Sequence, residues 1–305
     1  LSFCFYGSAM AFWSFLTFFQ FILPFIAFKP LEIKIDPYYR FFSLVCIIFV
    51  FYISGKYTGF RFLTSITDVY GWRAEASSYN FPVIFSYVFS FMRTLIPILI
   101  LYAIIKKRYL LAIILAFTIY LHFSVDGMKS TFFYPLVALA GYMFYRSEYR
   151  WIIPSSLASL GIIGIAERYL LGSFNLISLF FRRVMFLPIQ LSSQYFDYFT
   201  SHPLDLLRIG SFGKIGFTSP YTGEIPQMMG WHYLNVATHA NTGLVGDAMF
   251  CFGLAGMLVL PLILVLCFRL LDACTEGINQ RITISICVFY AIAFTNSSWR
   301  TTLLS

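Results

Sequence analysis

Residues 239–257 have the sequence HANTGLVGDAMFCFGLAGM, which begins with polar side chains and ends as an apolar run spaced by glycines. Three groups that a membrane disfavours, His239, Asn241 and Asp247, stand at the start of this hydrophobic segment. Its glycines recur three residues apart and allow close helix packing. The apolar half therefore predicts a packing helix, and the polar half is expected at the membrane surface.

The whole chain shares the apolar character of this segment. Of its 305 residues 59% are hydrophobic and only 11% are charged, which is outside the range of soluble globular proteins. Apolar runs long enough to cross about 30 Å of hydrocarbon recur along the chain, which favours helices over a barrel. The sequence predicts an all-α polytopic integral membrane protein with a single transmembrane domain over residues 1–305, embedded in a lipid bilayer.

Nucleic acid and metal partners have little support in the sequence. The formal charge of +8 comes from basic residues scattered among helix ends and loops, so nucleic acid is not expected as a partner. The six cysteines lie mostly inside apolar runs and lack the paired spacing of metal ligands, so neither a metal site nor a cofactor is predicted.

Eight candidate spans follow from the apolar runs. They cover about 3–28, 40–55, 84–105, 109–124, 132–145, 151–166, 247–268 and 282–299. Basic residues concentrate in alternate loops, and placing those loops in the cytoplasm satisfies both the positive-inside rule and strict alternation. The segment 167–246 is then a long exoplasmic loop region. Within it, FNLISLFFRRVMFLPIQ (174–190) predicts an interfacial helix that ends near Pro188.

Basic side chains on the predicted exoplasmic side could bind an anion. Arg93 lies inside a span, where a cation needs either a carboxylate such as Asp126 or a substrate phosphate. Arg182 and Arg183 are neighbours on one helix and could contact phosphate oxygens or lipid head groups. Further cations on this side are Arg73, Lys129 and Arg208.

Aromatic and acid/base groups accompany these cations. Tyrosines can pack on sugar rings as well as form an interfacial belt. Asp247 begins a span, where it could cap its own helix or act as a base. The remaining acid/base and tyrosine candidates on this side are Asp197, His232, His239, Tyr195, Tyr221 and Tyr233.

Four segments together resemble the bacterial Wzy-type oligosaccharide repeat-unit polymerases of O-antigen and capsule. They are TDVYGWRAEAS, DGMKSTFFYPLVALAGY, FFRRVMFLPIQLSSQYFDYF and ANTGLVGDAMFCFGLAGM, which span most of the chain from about Thr67 to Met257. The resemblance implies a GT-C-like helical bundle with a large exoplasmic loop layer. It also implies a bacterial inner membrane location, and an active site that faces the periplasm and moves a glycan from undecaprenyl pyrophosphate onto another lipid-linked repeat unit. A chain-length regulator and a flippase are implied partners.

On that reading, a set of cations would hold the pyrophosphate without a metal ion, with Arg93, Arg182, Arg183 and Lys129 first and Arg73 or Arg208 second. His239 or Asp247, then His232 or Asp197, would take the acceptor proton. Asn241 and the tyrosines at 195, 221 and 233 would orient sugar hydroxyls. An O-antigen ligase, a flippase or other transporter of lipid-linked oligosaccharides, and a non-catalytic assembly protein remain alternatives.

Overall fold

A computed structural model describes residues 3–23, 28–30, 35–61, 71, 75–76, 78–79, 81–143, 151–208, 218–235, 240–296 and 298–299. Every regular element in these ranges is helical. The helices are α1 (Phe3–Ile22), α2 (Ile35–Thr58), α3 (Val83–Ile105), α4 (Tyr109–Asp126), α5 (Lys129–Met143), α6 (Ile152–Leu171), α7 (Ile177–Phe186), α8 (Leu187–Ser201), α9 (Ile225–Leu234), α10 (Leu244–Phe252), α11 (Gly256–Thr275) and α12 (Gln280–Asn296).

Within the described ranges, five stretches are long and apolar enough to cross a membrane, as expected for a multi-pass helical membrane protein. They are Phe3–Ile22, Pro37–Thr58, Ile84–Ile105, Tyr109–Asp126 and Leu244–Thr275, and two shorter apolar helices cover Phe133–Met143 and Gln280–Phe294. The predicted span 151–166 corresponds to α6, which is not among the five.

One predicted helix end is wrong. The helix through 174–190 does not stop near Pro188, because α7 continues directly into α8 and Pro188 occupies the first turn of α8. The helix changes from π to α winding next to this proline. The ten residues of α7 are wound as a π-helix, a rare form that is often found at functional sites.

The chain forms two compact units. Unit 1 comprises Leu1–Leu31, Ile152–Glu276 and Ile292–Leu304, and unit 2 comprises Glu32–Trp151 and Gly277–Ala291 together with Ser305. In unit 1, α1 packs along α11 and α8 packs against α10. In unit 2, α2, α3 and α4 enclose an apolar core that includes Val50, Ile96 and Leu115. The single transmembrane domain over residues 1–305 stays a prediction.

The predicted span 247–268 is interrupted in unit 1. Helix α10 ends before Gly253, whose φ of +62° and ψ of −145° suit glycine, and a 3-10 turn over Gly253–Ala255 leads into α11. The C-terminal carbonyl groups of α10 accept backbone hydrogen bonds from a neighbouring turn: Asp205 N donates to Phe250 O, and Leu206 N donates to Cys251 O. The break is therefore a stabilised feature, because carbonyl groups freed inside a membrane helix must find donors.

Candidate functional site

Arg93 in α3 is a half-buried cation within a membrane span of unit 2. Its Nη1 contacts the Met128 sulfur, a weak acceptor, and its Nε is buried without an acceptor among the described residues. The ion pairs between described residues join Arg61 to Glu75 and His122 to Asp126, so none involves Arg93. Among the described residues this guanidinium has no anionic partner, which a charge in an apolar environment requires.

The Asp126 carboxylate accepts hydrogen bonds from residues other than Arg93, although the sequence makes it a candidate counterion for Arg93. Its two carboxylate oxygens accept hydrogen bonds from Met128 N at 2.8 Å and Thr131 Oγ1 at 2.6 Å, which fixes the start of α5. Its Oδ2 also lies 3.3 Å from His122 Nδ1, close enough for an ion pair but not aligned for a hydrogen bond. The expected alternative of an Arg93–Asp126 ion pair is therefore wrong.

The first turn of α5 lies beside Arg93 through its contact with Met128. The Asp126 carboxylate already caps this turn, because Met128 N and Thr131 Oγ1 donate hydrogen bonds to it. Lys129 begins α5, but its side chain lies outside the described residues. Arg93, beside the capped start of α5, is thus the candidate anion contact in unit 2.

Unit 1 holds a separate cluster of acid/base side chains where α8 meets α9. Tyr233 Oη donates a hydrogen bond of 2.8 Å to the exposed Asp197 carboxylate. The exposed His232 ring packs edge-on against both Tyr198 and Tyr233, at centroid distances of 5.1 and 4.8 Å. Burial, and then the bond to Asp197, raises the pKa of Tyr233, so its hydroxyl stays a donor at neutral pH.

His202 belongs to the same cluster. Its ring stacks on Tyr198 with a centroid distance of 3.8 Å, and its Nδ1 donates to the Tyr198 carbonyl oxygen at 2.8 Å. Because a carbonyl only accepts, Nδ1 carries the proton and a neutral ring presents an unprotonated Nε2. Three predicted site residues, Asp197, His232 and Tyr233, are thus brought together with His202.

Asp247 is buried at the start of α10 and does not cap its own helix. Its Oδ2 accepts hydrogen bonds from Ser298 Oγ at 2.8 Å and Trp299 N at 3.0 Å. The expected alternative of a helix cap is wrong, because these donors from a distant part of the chain satisfy the carboxylate instead. No pattern in the sequence links position 247 to positions 298 and 299.

Two predicted glycan-contacting tyrosines donate their hydroxyls to backbone carbonyl groups. Tyr195 is 2% exposed and bonds Ala240 O at 3.0 Å. Burial, and then the charge of Asp247, raises the pKa of Tyr195. Tyr221 bonds Pro203 O, and burial raises its pKa to about 12, with smaller contributions from Tyr198 and Asp205.

The other predicted site residues are dispersed. In unit 1, Arg182 is exposed on α7, Arg208 is half-buried and Asn241 is exposed before α10. His239 and Arg73, and the side chain of Arg183, lie outside the described residues. The described residues hold no group of three or more His, Cys, Asp or Glu that could bind a metal ion, and metal independence stays a prediction.

Comparisons with protein-family models, curated proteins and solved structures find no match to this chain.

Proposed function

We propose that the chain is a membrane glycosyltransferase that polymerises polysaccharide. It would transfer a glycan from undecaprenyl pyrophosphate to another lipid-linked repeat unit on the exoplasmic side of a bacterial inner membrane, within a GT-C-like bundle that carries an exoplasmic loop layer. The observation that supports this proposal best is Arg93, a membrane-embedded cation with a thioether contact and no carboxylate among the described residues. The pyrophosphate of a lipid carrier would supply an anion for Arg93.

The reaction exchanges one C–O bond for another. An acceptor hydroxyl oxygen attacks the anomeric carbon of the donor glycan, the bond from that carbon to the pyrophosphate oxygen breaks, and undecaprenyl pyrophosphate leaves with the bonding electrons. The acceptor proton passes to a protein base. Arg93 would stabilise the charge that develops on the leaving oxygens, a role in which a fixed cation is effective because it needs no reorganisation during the reaction.

Within unit 1, His232 and Asp197 are the better candidates for a base. Both side chains are exposed, whereas Asp247 is 3% exposed and already accepts two hydrogen bonds. A base must reach the acceptor hydroxyl, so the exposed pair suits the role better and Asp247 suits a positioning role. His239 stays a candidate from the sequence.

The test uses purified full-length protein in detergent with undecaprenyl-pyrophosphate-linked repeat units, and it records the product ladder on a gel. Removing one charge-stabilising donor costs about 10²–10³-fold in rate, and we expect that loss for Arg93→Gln. The matched control is Arg168→Gln, which removes an exposed cation that packs on Phe174. A wild-type ladder that Arg93→Gln leaves intact would overturn the role of Arg93.

The broken helix of unit 1 favours one second candidate, a transporter of lipid-linked oligosaccharides. Discontinuous membrane helices such as Leu244–Thr275 are typical of transporters, where the freed helix ends line a substrate site. The two candidates separate in proteoliposomes loaded with labelled lipid-linked substrate. Movement across the bilayer without any new covalent product supports transport, and transfer of one glycan onto a different acceptor without a ladder supports the ligase.

A further inference from the structure

We propose that unit 2 binds the phosphate headgroup of an anionic phospholipid at the basic turn, Lys106–Arg108, which joins α3 to α4. This inference does not rest on the proposed glycosyl transfer. It concerns the end of unit 2 that the sequence predicts to be cytoplasmic.

The basic turn places three cations on consecutive residues of a tight connection. Lys107 has a φ of +57°, a left-handed conformation that costs free energy in a residue other than glycine. The turn is closed by hydrogen bonds from Lys107 N to Ile104 O and from Arg108 N to Ala103 O. All three basic side chains are exposed, and a bound anion would relieve the repulsion between the neighbouring charges of Lys107 and Arg108.

Two buried tyrosines form a floor beneath the basic turn. The Tyr39 and Tyr102 rings lie 4.7 Å apart between centroids, and each side chain is less than a tenth exposed. Arg108 Cζ lies 5.4 Å from the Tyr39 centroid, and Lys106 Nζ lies 5.5 Å from the Tyr102 centroid. Both distances are within the range of cation–π attraction.

The ring floor leaves the Arg108 guanidinium available to an anion. The N–H bonds of a guanidinium lie in its own plane. When its face packs on an aromatic ring, these N–H groups still point sideways and can donate to phosphate oxygens. Arg108 takes part in neither ion pair between described residues. The Tyr39 hydroxyl beneath it is buried without a hydrogen-bond partner among the described residues.

The surroundings of the basic turn favour a lipid over a soluble phosphate. The turn joins two membrane spans, Ile84–Ile105 and Tyr109–Asp126. Apolar exposure begins at the next residue and follows α4, with Tyr109 60% exposed, Leu110 75% and Ile113 66%. A headgroup on the basic turn would therefore have an apolar surface for its acyl chain directly alongside, which is how basic pockets at the ends of membrane helices hold anionic lipids.

The test titrates full-length protein in neutral detergent with phosphatidylglycerol, with phosphatidylcholine as the zwitterionic comparison, and reads binding by native mass spectrometry and by thermal unfolding. We expect phosphatidylglycerol to bind more tightly and to raise the unfolding temperature. One cation near an anionic membrane surface contributes a factor of about five in affinity, so Arg108→Gln should weaken binding by about that factor. Tyr39→Leu should weaken it similarly, because it removes the floor under Arg108.

The matched control is Lys56→Gln at the other end of α2, where the ammonium lies 5.8 Å from the Tyr52 centroid and 5.4 Å from that of Tyr57. We expect this variant to bind phosphatidylglycerol as the wild type does. Equal losses in Lys56→Gln and Arg108→Gln would overturn a specific site, and so would wild-type binding by Arg108→Gln. If Tyr39→Leu does not fold, phosphatidylglycerol binding by Arg108→Gln is the deciding measurement.

Inorganic phosphate at matched ionic strength separates the two possible sources of the anion. We expect it to leave the unfolding temperature of the wild type unchanged. A stabilisation by phosphate that equals that by phosphatidylglycerol, and that Arg108→Gln removes, would show a site for free anions and would overturn the lipid assignment.

Discussion

The Gly256 backbone lies so close to Ala248 that a Cβ atom at position 256 would stand 2.2 Å from the Ala248 carbonyl oxygen. Eight residues separate the two positions, so only the break at Gly253–Ala255 can bring them into contact. The clash would be with backbone, which no rotamer change can relieve. We expect Gly256→Ala to lower the free energy of unfolding by about 2–3 kcal/mol.

Cysteine reactivity measures the local effect of this substitution. Cys251, in α10 just before the break, is a buried cysteine, and Cys46 in unit 2 is another. Alkylation followed by peptide mass spectrometry should show faster modification of Cys251 in Gly256→Ala, with Cys46 unchanged. The control is Gly7→Ala in α1, where a Cβ would meet nothing within 4 Å. Unchanged protection of Cys251 in Gly256→Ala would contradict the close packing at the break.

Much of the helical architecture could be predicted from the sequence, because apolar runs must form helices in a membrane. The predicted span 84–105 agrees with α3, and 109–124 agrees with α4 to within two residues. The break at Gly253 was missed because an apolar run with glycines looks the same whether its helix is continuous or interrupted. What distinguishes the two cases is the pair of backbone donors at Asp205 and Leu206, which leave no trace in hydropathy.

The sequence could predict which residue types form the candidate site, but not which contacts they make. Arg93 could be identified because a cation inside an apolar run is conspicuous in any sequence. Its contact with Met128 could not, since a thioether is not an expected partner for a charge. The cluster at Asp197, His232 and Tyr233 depends on how α8 meets α9, and those helices are separated by a segment that carries no periodic signal.

The Arg61–Glu75 pair should make a small part of the stability depend on pH. Arg61 Nη1 and Nη2 each donate a hydrogen bond of 2.7 Å to the Glu75 carboxylate, and Tyr79 Oη donates to it at 2.9 Å. The hydrogen bond from Arg61, and then that from Tyr79, lowers the pKa of Glu75. The folded state therefore gains stability from this carboxylate above its unfolded pKa of about 4.3, and loses it as the pH falls through the lowered value.

We expect Glu75→Gln to be less stable than the wild type at pH 6, and the difference to shrink as the pH falls through the lowered pKa of Glu75, as read from thermal unfolding. Since the pair is more than a third exposed, solvent screening limits the difference to under about 1 kcal/mol. Glu276→Gln, which changes an exposed carboxylate, is the control. A difference that persists undiminished at pH 3 would mean that the loss does not arise from the charge.

His122 should separate the contribution of ring stacking from that of hydrogen bonding. Its ring is 1% exposed and stacks on Phe89 at 3.7 Å with an interplanar angle of 4°, and its Nε2 donates to Phe89 O at 2.8 Å. His122→Phe keeps a ring and loses the hydrogen bond, which should lower the free energy of unfolding by about 1 kcal/mol. His122→Ala loses both and leaves a cavity, at about 3 kcal/mol. Chemical unfolding measures the free energy of unfolding of both variants. His202→Ala, at an exposed ring, is the comparison. Equal losses in the two His122 variants would show that ring stacking does not contribute to stability.

Asp247 joins α10 to the segment after α12, and its removal should loosen both. Asp247→Ala leaves the Ser298 hydroxyl and the Trp299 amide without their acceptor, and an unsatisfied buried donor costs about 1–3 kcal/mol. Asp247→Asn keeps one carboxamide oxygen as an acceptor, so its loss should be smaller. Asp272→Ala, at an exposed position of α11, should be neutral. Hydrogen exchange should show the Trp299 amide losing protection in Asp247→Ala but keeping most of it in Asp247→Asn. If both variants lost protection equally, the negative charge would matter and not the acceptor geometry, and Asp247 would again be a candidate for a role in proton transfer.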